Sequence, residues 1–229
     1  MEAIVLAGGL GTRLATRLSG IPKAMAPVGG RPFLEILLEQ AKRAGCARAL
    51  LSVGYLHEVI EEHFGPEFEG MQLEYVVEET PLGTGGAIRR ALEAANTEFV
   101  LALNGDTFLD ADYRAMLRFH ADERATFTVA VTHQPDIARY GGVVVRGGRV
   151  VGFEEKGRSG PGWINAGAYV LPREMEWPAA LGEKFSFEKD FLAREIGGPG
   201  VAAFEVDGFF LDIGVPEDLD RAQQELAGR

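Results

Sequence analysis

Two short stretches near the start of the chain combine residue types that handle phosphate. "GGLGTRL" (8–14) offers Gly8, Gly9 and Gly11, whose backbone N–H groups can approach an anion closely, followed by Thr12 and Arg13. "PKAMAPV" (22–28) adds a second cation, Lys23, ten residues after Arg13. The loop follows an apolar-leaning run, Ala3–Ala7, and a strand leading through a glycine loop into a helical turn is a general phosphate geometry. Two familiar versions fail. The pattern G-x-G-x-x-G breaks at Leu14, where its third glycine should stand, and G-x-x-x-x-G-K-[ST] finds no match.

Further along, "LNGDTFL" (103–109) puts Asp106 at the end of an apolar strand, where open α/β sheets bind ligands and where an Asp can equally cap the next helix. "PLGTGGAI" (81–88) reads as a glycine-rich helix start with Thr84 as N-cap. "FFLDIGVPEDL" (209–219) carries Asp212, and its Pro216 starts a last helix. "EEK" (154–156), taken alone, is a charged strand end. "SFEKDFL" (186–192) opens with Ser186 as a helix cap and is expected to help wall a pocket.

These residues need a scaffold, and the apolar pattern supplies one. Strand-like runs at 2–7, 47–53, 72–77 and 98–103 alternate with helical patterns at 33–44, 56–64, 86–95 and 110–121. Near-continuous apolar strands between helices argue for a parallel sheet covered on both faces. After residue 125 the strands crowd together, and "VRGGRV" (145–150) reads as a Gly-Gly hairpin. The fold class is α/β, a Rossmann-like, mixed but mainly parallel sheet flanked by helices, with antiparallel additions in the second half. One domain, 1–229, is expected.

Composition narrows the function classes. The net charge of −11 provides no general basic surface for nucleic acid or anionic lipid, so a phosphate site must be a local cationic island. The single cysteine, Cys46, excludes an intramolecular disulfide. The four histidines are scattered and read as surface or loop residues. No 18-residue apolar segment exists, and the first apolar run is too short for a signal peptide, so a cytoplasmic location without membrane contact is expected.

The order G-G-x-G-T-R-L followed by P-K-A-M-A-P-V resembles the sugar-1-phosphate nucleotidyltransferases, the NDP-sugar pyrophosphorylases, and the resemblance runs along nearly the whole chain. It implies the nucleotide-diphospho-sugar transferase fold, with 1–122 holding a nucleoside triphosphate and 123–229 a sugar phosphate. It assigns the nucleotide to Leu6, Ala7, Gly8, Gly9, Gly11, Thr12, Arg13, Lys23, Gly83, Thr84 and Asn104, with Glu78 or Glu79 reading the base and Glu79 preferred. It implies Mg2+, or Mn2+, on Asp106 and Asp212. It places Gly141, Glu154, Glu155, Lys156 and Asn165 on the acceptor sugar phosphate, and Arg13, Lys23 and Asp106 in catalysis. The L-G-T-x-G form resembles the guanylyl-transferring members, so GTP is the expected donor, with uridylyl members as the neighbouring alternative. Val215 stands where the family often has threonine. The implied partners are small molecules, an NTP and a sugar 1-phosphate, and a homodimer is compatible with this reading. No added acetyltransferase or regulatory domain is expected after Arg229.

The implied chemistry needs no protein base. A phosphate monoester has a second pKa near 6, so its oxygen is already anionic at pH 7. The task is to bring two polyanions together and steady charge at the α-phosphorus. Two other classes fare worse. A nicotinamide-dependent reductase lacks the third glycine and any Tyr-x-x-x-Lys. A non-catalytic nucleotide-sugar sensor would have no need to keep Arg13, Lys23, Asp106 and Asp212 together.

Overall fold

The computed structural model describes residues 1–9, 11–14, 17–18, 20–154, 156–196 and 200–227. Glu155 and the side chain of Thr12, both expected in the site, lie outside the described residues.

The first half alternates as its pattern demands. Strand β1 (Glu2–Leu6) is followed by a small ribbon of β2 (Pro27–Val28) and β3 (Arg31–Pro32), then helix α1 (Phe33–Arg43). Next come β4 (Arg48–Val53), α2 (His57–Phe64), β5 (Glu67–Phe68), β6 (Met71–Val77), α3 (Gly83–Ala94), β7 (Phe99–Asn104), β8 (Thr107–Leu109) and α4 (Tyr113–Glu123). The second half holds β9 (Phe127–Gln134), β10 (Gly142–Arg146), β11 (Arg149–Glu154) and β12 (Gly162–Pro172). A π-helical turn (Phe187–Leu192) then runs into α5 (Ala193–Glu195), followed by β13 (Val201–Val206), β14 (Phe210–Asp212) and α6 (Pro216–Glu225).

Ten strands form one sheet in the order β10-β11-β13-β9-β12-β7-β1-β4-β6-β5. β7, β1, β4 and β6 run parallel, with Ile4 of β1 opposite Ala102 on one side and Leu50 on the other. β12 lies antiparallel between β7 and β9, and β10 and β11 form the expected hairpin, Arg146 opposite Arg149. β13, which follows the helical segment after β12, runs parallel to β9 and antiparallel to β11.

Alternation along the central strands feeds two cores. Ala3 and Val5 pack with Leu37, Leu51, Phe108 and Leu219 on one face, whereas Ile4 packs with Leu50, Ile88 and Phe191 on the other. α1, α2, α4 and α6 cover the first face; α3 and the 187–192 turn cover the second. Both faces being apolar explains why these strands read as continuous runs rather than alternating ones. Among the described residues no helix is long and apolar enough to cross a membrane.

Candidate active site

From β1 the chain builds outward through β4 and β6, then crosses back to add β7 on the other side of β1. The carboxyl ends of β1 and β7, with Leu6 opposite Asn104, are therefore a topological switch point, the place where such sheets open a crevice. A cavity of about 420 Å³ lies there. Its walls include Leu6, Ala7, Gly8, Gly9 and Gly11 of the opening loop, Lys23, Asn104 and Asp106, and Glu78, Gly83 and Thr84 from the β6–α3 connection.

The loops are drawn together by close backbone approach. The Gly105 amide donates to the Leu6 carbonyl at 3.1 Å, and a Cβ on Gly105 would sit 2.4 Å from that oxygen. Only glycine fits, and this contact delivers Asp106 to the opening loop. Lys23 arrives on a single 3-10 turn (Lys23–Met25) anchored by buried Ala24 and Met25, and its Nζ donates to Asp106 Oδ2 at 2.6 Å. The Thr107 hydroxyl donates to the other Asp106 oxygen at 3.2 Å. Arg13 is exposed on the turn Thr12–Leu14 and does not line the cavity.

The β6–α3 connection separates its two glutamates and does not use Thr84 as a helix cap. Glu79 is exposed and faces neighbouring depressions, while Glu78 turns into the cavity. The Glu78 carboxylate accepts from the Ser52 hydroxyl at 2.7 Å and from the Leu82 amide at 3.0 Å, which fixes its direction. Thr84 is not the N-cap. α3 starts after Leu82 without a side-chain cap, and Thr84 Oγ1 accepts from the Phe187 amide at 3.0 Å. Gly85 seats the helix on the same segment: its amide donates to the Phe185 carbonyl at 3.0 Å, and a Cβ there would lie 2.2 Å from the Phe185 ring. The glycines of "PLGTGG" thus serve packing between the halves as well as access to the cavity.

The second carboxylate is brought in by a ribbon that no local pattern announces. β14 pairs antiparallel with β8, setting Asp212 opposite Thr107, and the Ile213 amide donates to the Asp106 carbonyl at 2.9 Å. Burial, and next the Asp106 charge, push the Asp212 carboxyl above its ordinary range, with Lys23 opposing. Its Oδ1 is buried and has no hydrogen-bond partner among the described residues. An orphaned carboxylate oxygen beside a second carboxylate is costly unless a cation shares it. Two carboxylates with room for phosphate oxygens is a donor set that suits a hard divalent ion, so the residues present fit one. Among the described residues no third His, Cys, Asp or Glu completes an all-protein metal cage.

A second cavity, about 470 Å³, is walled by Tyr140, Gly141, Phe153, Glu154 and Lys156 of the second half, with Glu188 and Lys189 from the π-helical turn. Glu154 is ion-paired with Arg158. Asn165 is not in the wall. Its Nδ2 donates to the Tyr169 hydroxyl at 2.8 Å, its Oδ1 accepts from the Gly167 amide at 3.0 Å, and it also bonds Glu188. Glu188 is the residue that sequence reasoning did not single out. Its signal was "SFEKD": Ser186 Oγ accepts from the Lys189 amide at 3.2 Å, and Asp190 accepts from the Ser186 amide at 2.7 Å, so the turn is capped as expected. Burial raises the Glu188 pKa, with Lys156, Asn165 and Lys189 opposing.

Charges from both regions reach common residues. Buried Tyr169, its phenol pushed up first by burial, feels the charges of both Glu188 and Asp106. Tyr140 of the second cavity feels Asp212. The histidines stand apart from this chemistry, and one corrects expectation. His120 is buried, with Nδ1 2.8 Å from the Thr128 hydroxyl and its ring edge-on to Phe99, because α4 packs that face against the sheet.

Fold and site define a protein of the nucleotide-transferring class: the switch-point cavity holds a carboxylate paired with a lysine, and a ribbon sets a second carboxylate beside it. Comparison with known proteins makes this specific. The chain belongs to the Nucleotidyl transferase family, which it matches over residues 2–229. It is 42% identical over 226 residues to a D-glycero-alpha-D-manno-heptose 1-phosphate guanylyltransferase of Aneurinibacillus thermoaerophilus, covering 99% of this chain and 98% of the relative. A protein of the same name from Campylobacter jejuni is 43% identical over 219 residues, 95% of this chain and 96% of that one. Among solved structures, HddC from Yersinia pseudotuberculosis superposes with a TM-score of 0.86 at 34% identity, covering 98% of this chain and 99% of its own, and is also known complexed with GMP-PN.

Proposed function

We propose that the chain transfers GMP from GTP to D-glycero-α-D-manno-heptose 1-phosphate, giving GDP-heptose and pyrophosphate. The observation that carries the reaction is the ribbon that sets Asp212 beside Asp106 at the switch-point cavity; the donor and acceptor follow the two relatives that match along nearly their whole length.

Each group then has a task. The amides of Gly8, Gly9 and Gly11 and the guanidinium of Arg13 hold the triphosphate. Glu78, rather than Glu79, reads guanine. A carboxylate has about four acceptor positions. Ser52 and Leu82 engage one on each Glu78 oxygen. The rest can accept the adjacent N1–H and N2–H₂ donors of guanine. Lys23 cancels charge on Asp106 and on the incoming phosphate, and Lys156 faces that phosphate from the other side. Gly141, Glu154 and Glu188 contact the sugar, with Asn165 holding Glu188. A Mg2+ or Mn2+ ion held by Asp106 and Asp212 would supply electrostatic stabilisation of charge at the α-phosphate. The sugar phosphate is its own nucleophile, so the chain orients and neutralises rather than taking a proton. GTP as donor is in keeping with a cytoplasmic place and with supply of activated heptose to a bacterial surface glycan. A homodimer remains part of the reading, to be checked by sedimentation.

The test is pyrophosphate release from GTP, UTP, dTTP and ATP against heptose, mannose and N-acetylmuramate 1-phosphates, with and without divalent ion. The expected result is the highest kcat/KM for GTP with the heptose, and none in EDTA. A preference for mannose 1-phosphate would move the acceptor to that of the Mycobacterium tuberculosis mannose-1-phosphate guanylyltransferase, 35% identical over 99% of this chain. A preference for UTP with N-acetylmuramate 1-phosphate would overturn donor and acceptor both.

A further inference from the structure

The last helix touches more of the site than its distance from the chemistry suggests. α6 follows Asp212 by three residues. Gln223 accepts from the Gly29 amide at 3.0 Å and also donates to the Pro27 carbonyl, which holds the loop after Lys23. Asp220 meets Arg17, but both side chains are more than half exposed, so that pair contributes little. Asp218 is different. It lies in the first turn, its side chain is 7% exposed, and its Oδ2 accepts from Arg139 Nη2 at 2.5 Å.

Arg139 belongs to the connection that delivers the acceptor wall. The Tyr140 and Gly141 amides both donate to the Ile137 carbonyl at 3.0 Å, closing a tight turn just before β10. The Arg139 guanidinium lies 5.4 Å from the centre of the Tyr140 ring, whose edge meets Phe210 of β14 at 5.4 Å. One guanidinium therefore joins the helix behind Asp212 to the turn that carries Tyr140 and Gly141. Removing one partner would leave the nearly buried Asp218 carboxylate unpaired, which gives the pair its leverage.

We propose that Arg139, held by Asp218, is a positioning residue that sets the spacing between the Asp212 carboxylate and the Tyr140–Gly141 wall of the acceptor cavity. The inference rests on the assignment of that cavity to the sugar phosphate. Loss of the pair lets the turn drift from the carboxylate, so it weakens acceptor use and leaves GTP use intact.

The experiment compares Arg139→Ala, Arg139→Lys, Asp218→Asn and the control Arg17→Ala, with GTP and sugar 1-phosphate varied separately. Arg139→Ala and Asp218→Asn should raise KM for the sugar 1-phosphate about tenfold, with KM for GTP within about twofold, on the scale of one lost charge-assisted contact. Arg139→Lys should recover most of that loss, the double variant should be no worse than the worse single, and Arg17→Ala should match wild type. Equal changes for both substrates, or none, would overturn the proposal. Amide hydrogen exchange provides a readout independent of turnover: the Gly141 amide should exchange faster in Arg139→Ala, while amides of α3 stay as in wild type. Unchanged exchange at Gly141 overturns the positioning role whatever the assays give, whereas an inactive wild type with the expected exchange would overturn only the substrate assignment. Arg139 is half-exposed, so its variant decides the matter should Asp218→Asn fail to fold.

Discussion

The two cavities are made of different material. The one at the switch point is largely backbone: glycine loops, a carbonyl that excludes any Cβ at Gly105, and two carboxylates, Glu78 fixed by two donors and Asp106 paired with Lys23. The cavity proposed for the acceptor is largely side chain: Tyr140, Phe153, Glu154, Lys156, Glu188 and Lys189, on antiparallel strands and a π-helical turn. A triphosphate is the same in every NTP, so rigid amides suit it; sugars differ in their hydroxyls, so exchangeable side chains suit them. The comparison teaches that errors of backbone should damage the nucleotide half, and errors of charge the acceptor half, with the carboxylates between them serving both.

The largest effect should come from that shared point. Asp106→Asn and Asp212→Asn should each lower kcat by about 10²–10³ or more, the scale for removing a group aimed at transition-state charge. Their stabilities should diverge from their activities. Burial and the Asp106 charge disfavour the Asp212 carboxylate in the fold, so Asp212→Asn should melt no lower than wild type. Loss of activity together with a large fall in Tm would mean that Asp212 is structural.

Next come variants that should split the halves. Lys156→Ala should raise KM for the sugar phosphate roughly ten- to a hundredfold, the value of one charge-assisted contact, with GTP unaffected. Glu78→Gln should do the reverse and narrow the preference for GTP over ATP, whereas Glu79→Gln should change neither. If Glu79→Gln, and not Glu78→Gln, alters base choice, the base reader is the exposed neighbour.

A backbone change gives a smaller effect in free energy. Gly85→Ala places a methyl where the Phe185 ring lies, and overpacking of this kind costs about 1–3 kcal/mol. Urea unfolding should show that loss, and KM for GTP should rise with it because α3 carries Gly83 and Thr84. An unchanged midpoint would show that the contact between the halves yields freely.

The smallest effect concerns pH. Burial lowers the His120 pKa in the folded chain, while the unfolded chain keeps a value near 6.5. The unfolded state then binds the proton first, so this residue's contribution is intact above about pH 6.5 and is lost as pH falls below it. His120→Gln, which can still meet Thr128, should flatten that part of the stability curve. Identical slopes for both proteins between pH 7 and 5 would place the acid sensitivity elsewhere.

The half proposed to hold the nucleotide was the more legible from sequence. Amides need glycine, and glycine patterns are short and local, so "GGLGTRL" and "LNGDTFL" locate their loops directly. Elsewhere the information is not local. The resemblance left Glu78 and Glu79 side by side; along β6 the burial alternates up to Leu73 and then shifts to Val76, and it is Glu78 that turns in. Glu188 sits in a segment that reads only as a capped helix until the fold lays it beside Lys156. His120 shows the same limit, since the helix face it shares is defined by β9 and Phe99 rather than by its neighbours. The pairing of β14 with β8, which puts Asp212 beside Asp106, joins segments about a hundred residues apart and was reachable from sequence only through the family resemblance.

The account's central claim is that an oxygen of the sugar phosphate attacks the α-phosphorus derived from GTP and becomes the bridge of the product. The most direct test is a 31P NMR analysis of product formed from unlabelled GTP and sugar 1-phosphate carrying 18O in its non-bridging oxygens. The account predicts that all of the label stays on the β-phosphorus of the GDP-sugar, one labelled oxygen now bridging to the α-phosphorus, with unlabelled pyrophosphate. Label in pyrophosphate, or an unlabelled bridge, would contradict it.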